Sequence, residues 1–205
     1  MKEFGSLDID NMDKRFRTTF INCLSGYKSP FLVGTKSCDG DENLAIFSSV
    51  FHLGANPALI GMISRPNSVP RHTLENIKAT GLYSLNLVDE SFLDKAHQTS
   101  ARYDREVSEF NSCGIDSAYE EGFSAPFVKC SEMTLLMKHR QIIELEINAT
   151  LLVIGEIYKV ILKNECSLKA DGFLDFSEMS AVASVGLDAY SCPKGFVRKA
   201  YAKAN

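Results

Sequence analysis

Runs of apolar and β-branched residues, separated by turn residues, recur along most of this chain. Runs of this kind are typical of strands, and the alternation of polar and apolar positions in Tyr83–Val88 indicates a strand with two different faces. Two turn signals, Asp39–Glu42 and Gly54–Pro57, separate neighbouring runs. The pattern predicts extended segments at Thr18–Leu24, Tyr27–Thr35, Asn43–Ser49, Ala58–Ile63, Tyr83–Val88, Glu132–Lys138, Gln141–Ile147 and Leu151–Leu162, with a bulge or bend at Gly155 in the last.

Helical signals are fewer and shorter. Thr73–Thr80 has helical spacing of apolar residues and ends at Gly81. A second helix is expected from Ser91, as its N-cap, to Tyr103, and a third from Val107 to Cys113 with Gly114 after it. The segment Ser117–Val128 contains Gly122 and Pro126 and is expected to be irregular.

Hairpin-like pairs of strands outnumber strand-helix-strand units, which favours an antiparallel barrel with helices over its ends. The predicted fold class is therefore mainly β with short helices. A chain of 205 residues fits one domain, here expected to span residues 1–205. Residues 1–17 are expected to form a loosely held N-terminal arm, and residues 180–205 a C-terminal tail.

Composition and charge exclude several functional classes. The formal net charge of -4 argues against a nucleic-acid partner, which usually meets a basic domain. No apolar run approaches the roughly eighteen residues of a membrane span, and no secretory signal is present, so we expect a cytoplasmic protein without a membrane partner. The six cysteines form no CxxC pair, and no other ligand spacing indicates a metal.

The usual catalytic motifs are missing as well. The chain has no GxGxxG after a strand, no GxxxxGK[ST], no GxSxG and no HExxH. A nucleotide, if bound, is therefore held in another way, and hydrolytic or metal-dependent chemistry is disfavoured.

Positive charge is concentrated in one loop. Arg65, Arg71 and His72 come shortly before Thr73, whose hydroxyl is expected to cap the helix that follows. Helix starts attract anions because unpaired N–H groups and the helix dipole act together. The loop therefore predicts a site for an anionic group such as a phosphomonoester, with a solvated loop as the alternative.

A pair of hydroxyls interrupts the apolar run that precedes this loop. If Ser48 and Ser49 lie inside a strand, they face opposite sides, so only one of them can address a ligand. The alternative is that both bond to neighbouring carbonyl groups, because a buried hydroxyl needs a partner.

Short sequence matches, in a fixed order along nearly the whole chain, resemble the flavin reductase-like, FMN-binding split-barrel family. These matches are Gly26–Ser29, Gly34–Lys36, Asn43–Ser49, Asn56–Pro57, Ser64–Pro66, Pro70–Thr73, Glu75–Ile77, Ser108–Phe110, Ala125–Val128, Ile154–Ile157 and Gly186–Tyr190.

The resemblance implies an antiparallel split barrel, a homodimer, and FMN bound near the dimer interface. It implies that the flavin ring lies along Asn43–Ser49, that the phosphate is held by Ser64–Asn76, and that His97–Tyr103 approaches the ring. The expected FMN-binding residues are Asn43, Leu44, Ala45, Phe47, Ser48, Ser49, Ser64, Arg65, Arg71, His72, Thr73 and Asn76.

The activity implied by the resemblance is hydride transfer from NADH or NADPH to FMN, with a monooxygenase as a possible recipient of the reduced flavin. Such transfer depends mainly on positioning, so no catalytic acid, base or nucleophile is expected. The main alternative is a flavoprotein or electron carrier that binds FMN without nicotinamide turnover. A third reading, an oxidase of the pyridoxamine phosphate type, shares the architecture but matches these segments less well.

Overall fold

The structure is a computed structural model that describes residues 1–204. Its α-helices are α1 Ser6–Asp10, α2 Lys14–Leu24, α3 His72–Thr80, α4 Leu93–Gln98 and α5 Glu109–Ser112, with 3-10 turns at Glu90–Phe92 and Glu165–Ser167. The strands are β1 Phe31–Lys36, β2 Glu42–Phe47, β3 Val50–Ala55, β4 Ala58–Ser64, β5 Leu82–Leu87, β6 Ser117–Glu120, β7 Phe123–Val128, β8 Met133–Leu145, β9 Thr150–Leu162, β10 Ala183–Val185 and β11 Ala189–Ser191. None of the described helices is long and apolar enough to cross a membrane.

Seven strands form one antiparallel sheet in the order β2-β1-β5-β8-β9-β4-β3. Its two edge strands, β2 and β3, are consecutive in sequence and are joined by Ser48 and Ser49. Phe47 of β2 and Val50 of β3 both pack against one apolar core, so the sheet curls until its edges approach each other. The predicted fold class, a mainly β protein with an antiparallel split barrel, is confirmed.

The main core fills the inside of this curled sheet. Phe31 and Val33 of β1 point into it, whereas Leu32 between them packs outside with Phe110 of α5. This is the alternation that strand geometry imposes. The part of the sheet that lies next to α4 and α5 is therefore buried on both faces.

The segment Ser117–Val128 is not irregular, as the sequence suggested, but forms the β6–β7 hairpin on the outer face of the sheet. Two polar residues of β5 hold it there. Ser84 Oγ donates to the Pro126 carbonyl at 2.7 Å, and Asn86 Oδ1 accepts from the Val128 N–H at 2.9 Å. The polar positions of β5 are thus as buried as the apolar ones.

The predicted strand Thr18–Leu24 is wrong, because these residues belong to helix α2, which also crosses the predicted arm boundary at residue 17. Asp13 caps this helix by accepting from the N–H groups of Arg15 and Phe16. Phe16 and Phe20 then stack one turn apart, with ring centroids 6.0 Å apart. Capping and this contact outweigh the strand preference of two adjacent threonines.

The predicted helix Ser91–Tyr103 is shorter than expected. Asp89, not Ser91, provides the cap, since its carboxylate accepts from the Ser91 N–H at 2.8 Å. After a 3-10 turn the α-helix ends at Gln98, and residues 99–107 continue without regular structure. The third helix, α5, begins at Glu109 and is one turn long.

The two strands predicted between Glu132 and Ile147 are one long strand, β8. A bulge at Arg140, opposite Gly155 of β9, lets the strand bend and continue. The extra residue opposite Gly155 thus lies in the neighbouring strand, while β9 has a bulge of its own three residues later, at Tyr158.

Gly155 is needed because Tyr83 lies against its backbone. A Cβ atom at position 155 would stand 2.0 Å from Tyr83 Oη and 2.9 Å from Tyr83 Cζ. Tyr83 is only 1% exposed and belongs to the main core, so its rigid ring has little freedom to move away.

We expect Gly155→Ala to lower the free energy of unfolding by about 1–3 kcal/mol, the usual cost of overpacking a core. The measurement is urea unfolding of the two proteins. Adding Tyr83→Phe to this variant removes the atom in closest conflict and should restore part of the loss. Equal midpoints for Gly155→Ala and the unsubstituted protein would show that the ring yields freely.

Candidate active site

A cleft of about 710 Å³ lies where the curled sheet remains open. Its walls are the end of β2 with the Ser48–Ser49 bend, the stretch from Ile63 to Leu74, and the irregular segment Thr99–Arg105. A volume of this size is within the range of small-molecule and cofactor sites in proteins.

Four buried polar side chains fix the start of α3 against the sheet. Asn43 Nδ2 of β2 donates to Thr73 Oγ1 at 2.9 Å and to Thr35 Oγ1 of β1 at 3.2 Å. Asn76 Nδ2 donates to the same Thr35 oxygen at 3.1 Å. Since each group is buried and partnered, this polar network ties β1, β2 and α3 together.

The cap of α3 differs from the prediction. Thr73 does not cap the helix, because its hydroxyl is engaged by Asn43. The N-cap position is Arg71, whose N–H donates to the Glu75 carboxylate at 3.1 Å. The N–H groups of His72, Thr73 and Leu74 precede the first intrahelical bond and so have no partner within the helix. This helix start therefore retains three donors for an anion.

Three arginines surround this helix start. Arg65 and Arg71 come from the loop before α3, and Arg102 comes from the segment Thr99–Arg105, which forms another wall. Burial lowers the pKa of Arg71, and repulsion from Arg65 and Arg102 lowers it further. Arg71 Nε is buried without a hydrogen-bond partner among residues 1–204. An anion placed among the three guanidinium groups would relieve their repulsion and accept charge-assisted hydrogen bonds.

The free edge of β2 forms another part of the wall. The Leu44 N–H points away from β1 and donates to Glu109 Oε2 of α5 at 2.9 Å. Because backbone groups alternate along an antiparallel strand, Ile46 directs its N–H and C=O to the same side, and Ile46 lines the cleft. Burial raises the pKa of Glu109, against the opposing effects of the Leu44 N–H and the nearby His72.

Most of the residues predicted from the sequence come together at this cleft. Those that line it are Asn43, Ala45, Phe47, Ser48, Ser49, Ser64, Arg65, Arg71, His72 and Thr73. The side chain of Leu44 instead packs in the outer core, and Asn76 lies buried in the polar network. These two residues act on the cleft only through the backbone of β2 and the position of α3.

Ser48 and Ser49 do not lie within a strand, as the sequence suggested. They form the bend between β2 and β3, so strand alternation does not separate their side chains. Both border the main cleft and a second cavity of about 510 Å³, which is also lined by Tyr27, Lys28 and Phe51.

The wall formed by Thr99–Arg105 was predicted only in part. Of the segment predicted to approach the ring, Thr99–Tyr103 line the cleft, whereas His97 turns away and its Nδ1 lies 2.8 Å from Tyr190 Oη. Arg105, Glu109 and Leu187 were missed. Glu109 and Leu187 lie within two of the short family matches, but nothing in those matches indicates contact with the cleft. The three residues reach it only through the packing of α4, α5 and the β10–β11 hairpin.

Comparison with known proteins agrees with this architecture. Residues 24–175 match the family model described as flavin reductase like domain. A crystal structure of a candidate flavin reductase with split barrel domain from Shewanella frigidimarina NCIMB 400 is 46% identical. It superposes with a TM-score of 0.94 over 98% of this chain and 100% of that chain.

More distant matches extend the comparison. Nitrilotriacetate monooxygenase component B from Bacillus cereus shares the fold, with a TM-score of 0.81 at 18% identity over 98% of each chain. An uncharacterized protein of Aquifex aeolicus (strain VF5) is 27% identical over 108 residues, which are 52% of this chain and 55% of that protein. The family match covers most of the chain, which therefore belongs to the flavin reductase like domain family.

Proposed function

We propose that the protein binds FMN in this cleft and that hydride passes to it from NADH or NADPH. One observation carries the proposal. A helix start with three unpaired N–H groups, together with Arg65 and Arg71 of the loop before it, lies next to the free edge of a strand. The first feature suits a phosphate, and the second suits the polar edge of a flat ring.

The residues present fit the phosphate of FMN. A phosphomonoester carries about -1.5 to -2 charges at neutral pH, which matches the charges of Arg65 and Arg71 beside the helix start. Arg71 is the central contact, because it is the more enclosed of the two and has an unpartnered Nε. The N–H groups of His72 and Thr73 would complete the cradle.

The residues present also fit the flavin ring. Ile46 directs one donor and one acceptor into the cleft, and Ala45 and Phe47 lie beside it. Backbone groups on a strand are rigidly placed, so they can fix the orientation of a planar ring more accurately than mobile side chains. Tyr103 and Leu187 supply apolar contacts from other walls.

When bound, FMN supplies the electron-accepting chemistry, and the chain supplies position. Arg65, Arg71 and the helix start hold the phosphate, the edge of β2 orients the ring, and Thr99–Arg105 restricts the access of water from one side. No side chain has to act as an acid, base or nucleophile in this proposal, so catalytic residues in that sense are not assigned.

The decisive experiment for this function is anaerobic reduction of the FMN-loaded protein. We expect NADH or NADPH to bleach the flavin absorption band far faster than the same nucleotide bleaches free FMN, because the cleft aligns the two rings. Tight FMN binding without bleaching by either nucleotide would contradict the reductase and favour an electron carrier.

Substitution of Arg71 tests whether this residue binds the phosphate of FMN. We expect Arg71→Ala to raise the Kd for FMN roughly 10- to 100-fold, as expected for the loss of a charge-assisted hydrogen bond. Binding of riboflavin, which lacks the phosphate, should change much less. Arg198→Ala, at an exposed arginine paired with Asp171 outside the cleft, is the matched control. Equal losses for FMN and riboflavin would remove Arg71 from the phosphate site.

We also propose that the protein forms a homodimer through the outer face of β3, β4, β9 and β8. Ile143, Leu152 and Ile63 are paired with one another across these strands. Their side chains point outward, because the residues next to them in the chain, Ile142, Val153 and Met62, point into the core. The next row contains Phe51 and Ile154. An apolar face of this extent is typical of a protein interface. It continues into the cleft through Ile63 and Thr150, so a partner would complete the FMN site.

The dimer is tested by placing a charge on this face. We expect Ile143→Lys to shift the protein from dimer to monomer in sedimentation velocity and to weaken FMN retention, because a lysine ammonium resists burial. Val160→Lys is the control, because Val160 is also exposed but lies at the other end of the β8–β9 ladder. This substitution should leave the dimer intact. A monomeric unsubstituted protein would refute the proposed interface.

We propose that a monooxygenase receives the reduced FMN. The support is the shared fold of nitrilotriacetate monooxygenase component B, together with an open cleft from which a flavin can leave.

A further inference from the structure

The cleft contains more positive charge than one phosphomonoester requires. Its lining includes Arg65, Arg71, Arg102 and Arg105, with His72 at the helix start. Acidic groups at the cleft are Glu109, which is buried and faces His72, and Asp104 beside Arg105. Arg105 is neutralised by an ion pair with Glu75 of α3. Three arginines therefore remain without a salt bridge among residues 1–204.

These three arginines differ in origin. Arg65 and Arg71 belong to the loop that leads into α3 and so share one wall with the unpaired N–H groups of the helix start. Arg102 belongs to a different wall, formed by Thr99–Arg105, and its side chain is exposed. If the proposed FMN phosphate is held by the first wall, Arg102 is the cation left for a second anionic ligand.

Arg102 is held in place although its segment has no regular structure. Thr99 Oγ1 donates to the Ala96 carbonyl at 2.8 Å, and Gln98 Nε2 donates to Tyr103 Oη at 3.2 Å. The ion pair of Arg105 with Glu75 ties the far end of the segment to α3. These contacts hold the chain on both sides of Arg102, whose guanidinium lies within Coulombic reach of Arg71.

We propose that Arg102 binds the diphosphate of the nicotinamide dinucleotide. A guanidinium offers paired donors that match phosphate oxygens, and a diphosphate is the anionic centre of NADH and NADPH. Tyr103, next in the chain and also in the cleft, provides an aromatic face beside that contact. This inference rests on the proposed function and assigns the nucleotide a wall separate from the FMN phosphate.

The test compares Arg102→Gln and Arg102→Lys with the unsubstituted protein, each loaded with saturating FMN. Binding of NAD⁺ and NADP⁺ is followed by the change in flavin fluorescence, and KM and kcat are measured with NADH and NADPH. For Arg102→Gln we expect the Kd of the bound nucleotide and its KM to rise about tenfold or more. The Kd for FMN and kcat should stay within about twofold, the range in which surface substitutions usually fall.

Arg102→Lys should recover part of the nucleotide affinity, since it keeps the charge and loses the paired donors. Arg198→Gln, at the exposed arginine outside the cleft, is the control for loss of one positive charge. A loss confined to FMN, or equal for FMN and nucleotide, would move Arg102 to the phosphate site and overturn the inference. Unchanged affinity for both would overturn it as well.

Failure of this inference is distinguishable from failure of the proposed function. If the unsubstituted FMN-loaded protein neither binds NAD⁺ or NADP⁺ nor oxidises NADH or NADPH, both the proposed reductase activity and the proposed role of Arg102 are refuted. If it does bind and oxidise them, and Arg102→Gln behaves like the unsubstituted protein, only the role of Arg102 falls.

Discussion

The candidate site depends on one buried polar network, in which Asn43, Thr35, Thr73 and Asn76 join two strands to the start of α3. A hydrogen bond of this kind contributes about 1 kcal/mol, but a buried group left without its partner costs about 1–3 kcal/mol. The network therefore specifies a single docking position for the helix. Because that position is fixed, the unpaired N–H groups of α3 and the free edge of β2 face the same cleft.

Charge in the cleft is arranged at some expense to the empty protein. Arg65, Arg71 and Arg102 repel one another, and burial adds to the cost at Arg71. Of the four arginines that line the cleft, Arg105 alone has an acidic partner among the described residues, and that pair is partly exposed and contributes little to stability. An anion would relieve the repulsion on binding, so electrostatic cost in the empty state becomes affinity in the bound state. This relation favours an anionic ligand over a neutral one.

The sequence predicted the features whose signals are local. Arg65, Arg71 and His72 stand close together before a helix, so the cationic loop is visible without the fold. The sequence also predicted β5 and α3, where the apolar period is unambiguous. Arg102 could not be found in this way, because it meets Arg71 only when the segment after α4 folds back across the cleft.

The errors in the sequence analysis have equally specific causes. Helix α2 was taken for a strand because Thr18 and Thr19 favour strands, although Asp13 provides a cap and Phe20 lies one turn after Phe16. The β6–β7 hairpin was missed because what holds it is remote, namely Ser84 and Asn86 of β5. Both errors show tertiary contacts overriding local preference, as expected when a segment is short.

The opening in the barrel explains why the site lies where it does. An exposed strand edge invites unwanted pairing, and proteins usually cover such edges. Here the edge of β2 is covered at Leu44 by the buried carboxylate of Glu109, while the next outward-facing residue, Ile46, is left for the cleft. On the other side of the bend, Ser49 accepts from the Ile63 N–H at 3.0 Å, which holds the turn close to β4. Glu109 thus covers one part of the β2 edge, and the adjacent part remains open to a planar ligand. The binding site therefore lies where the barrel is not closed.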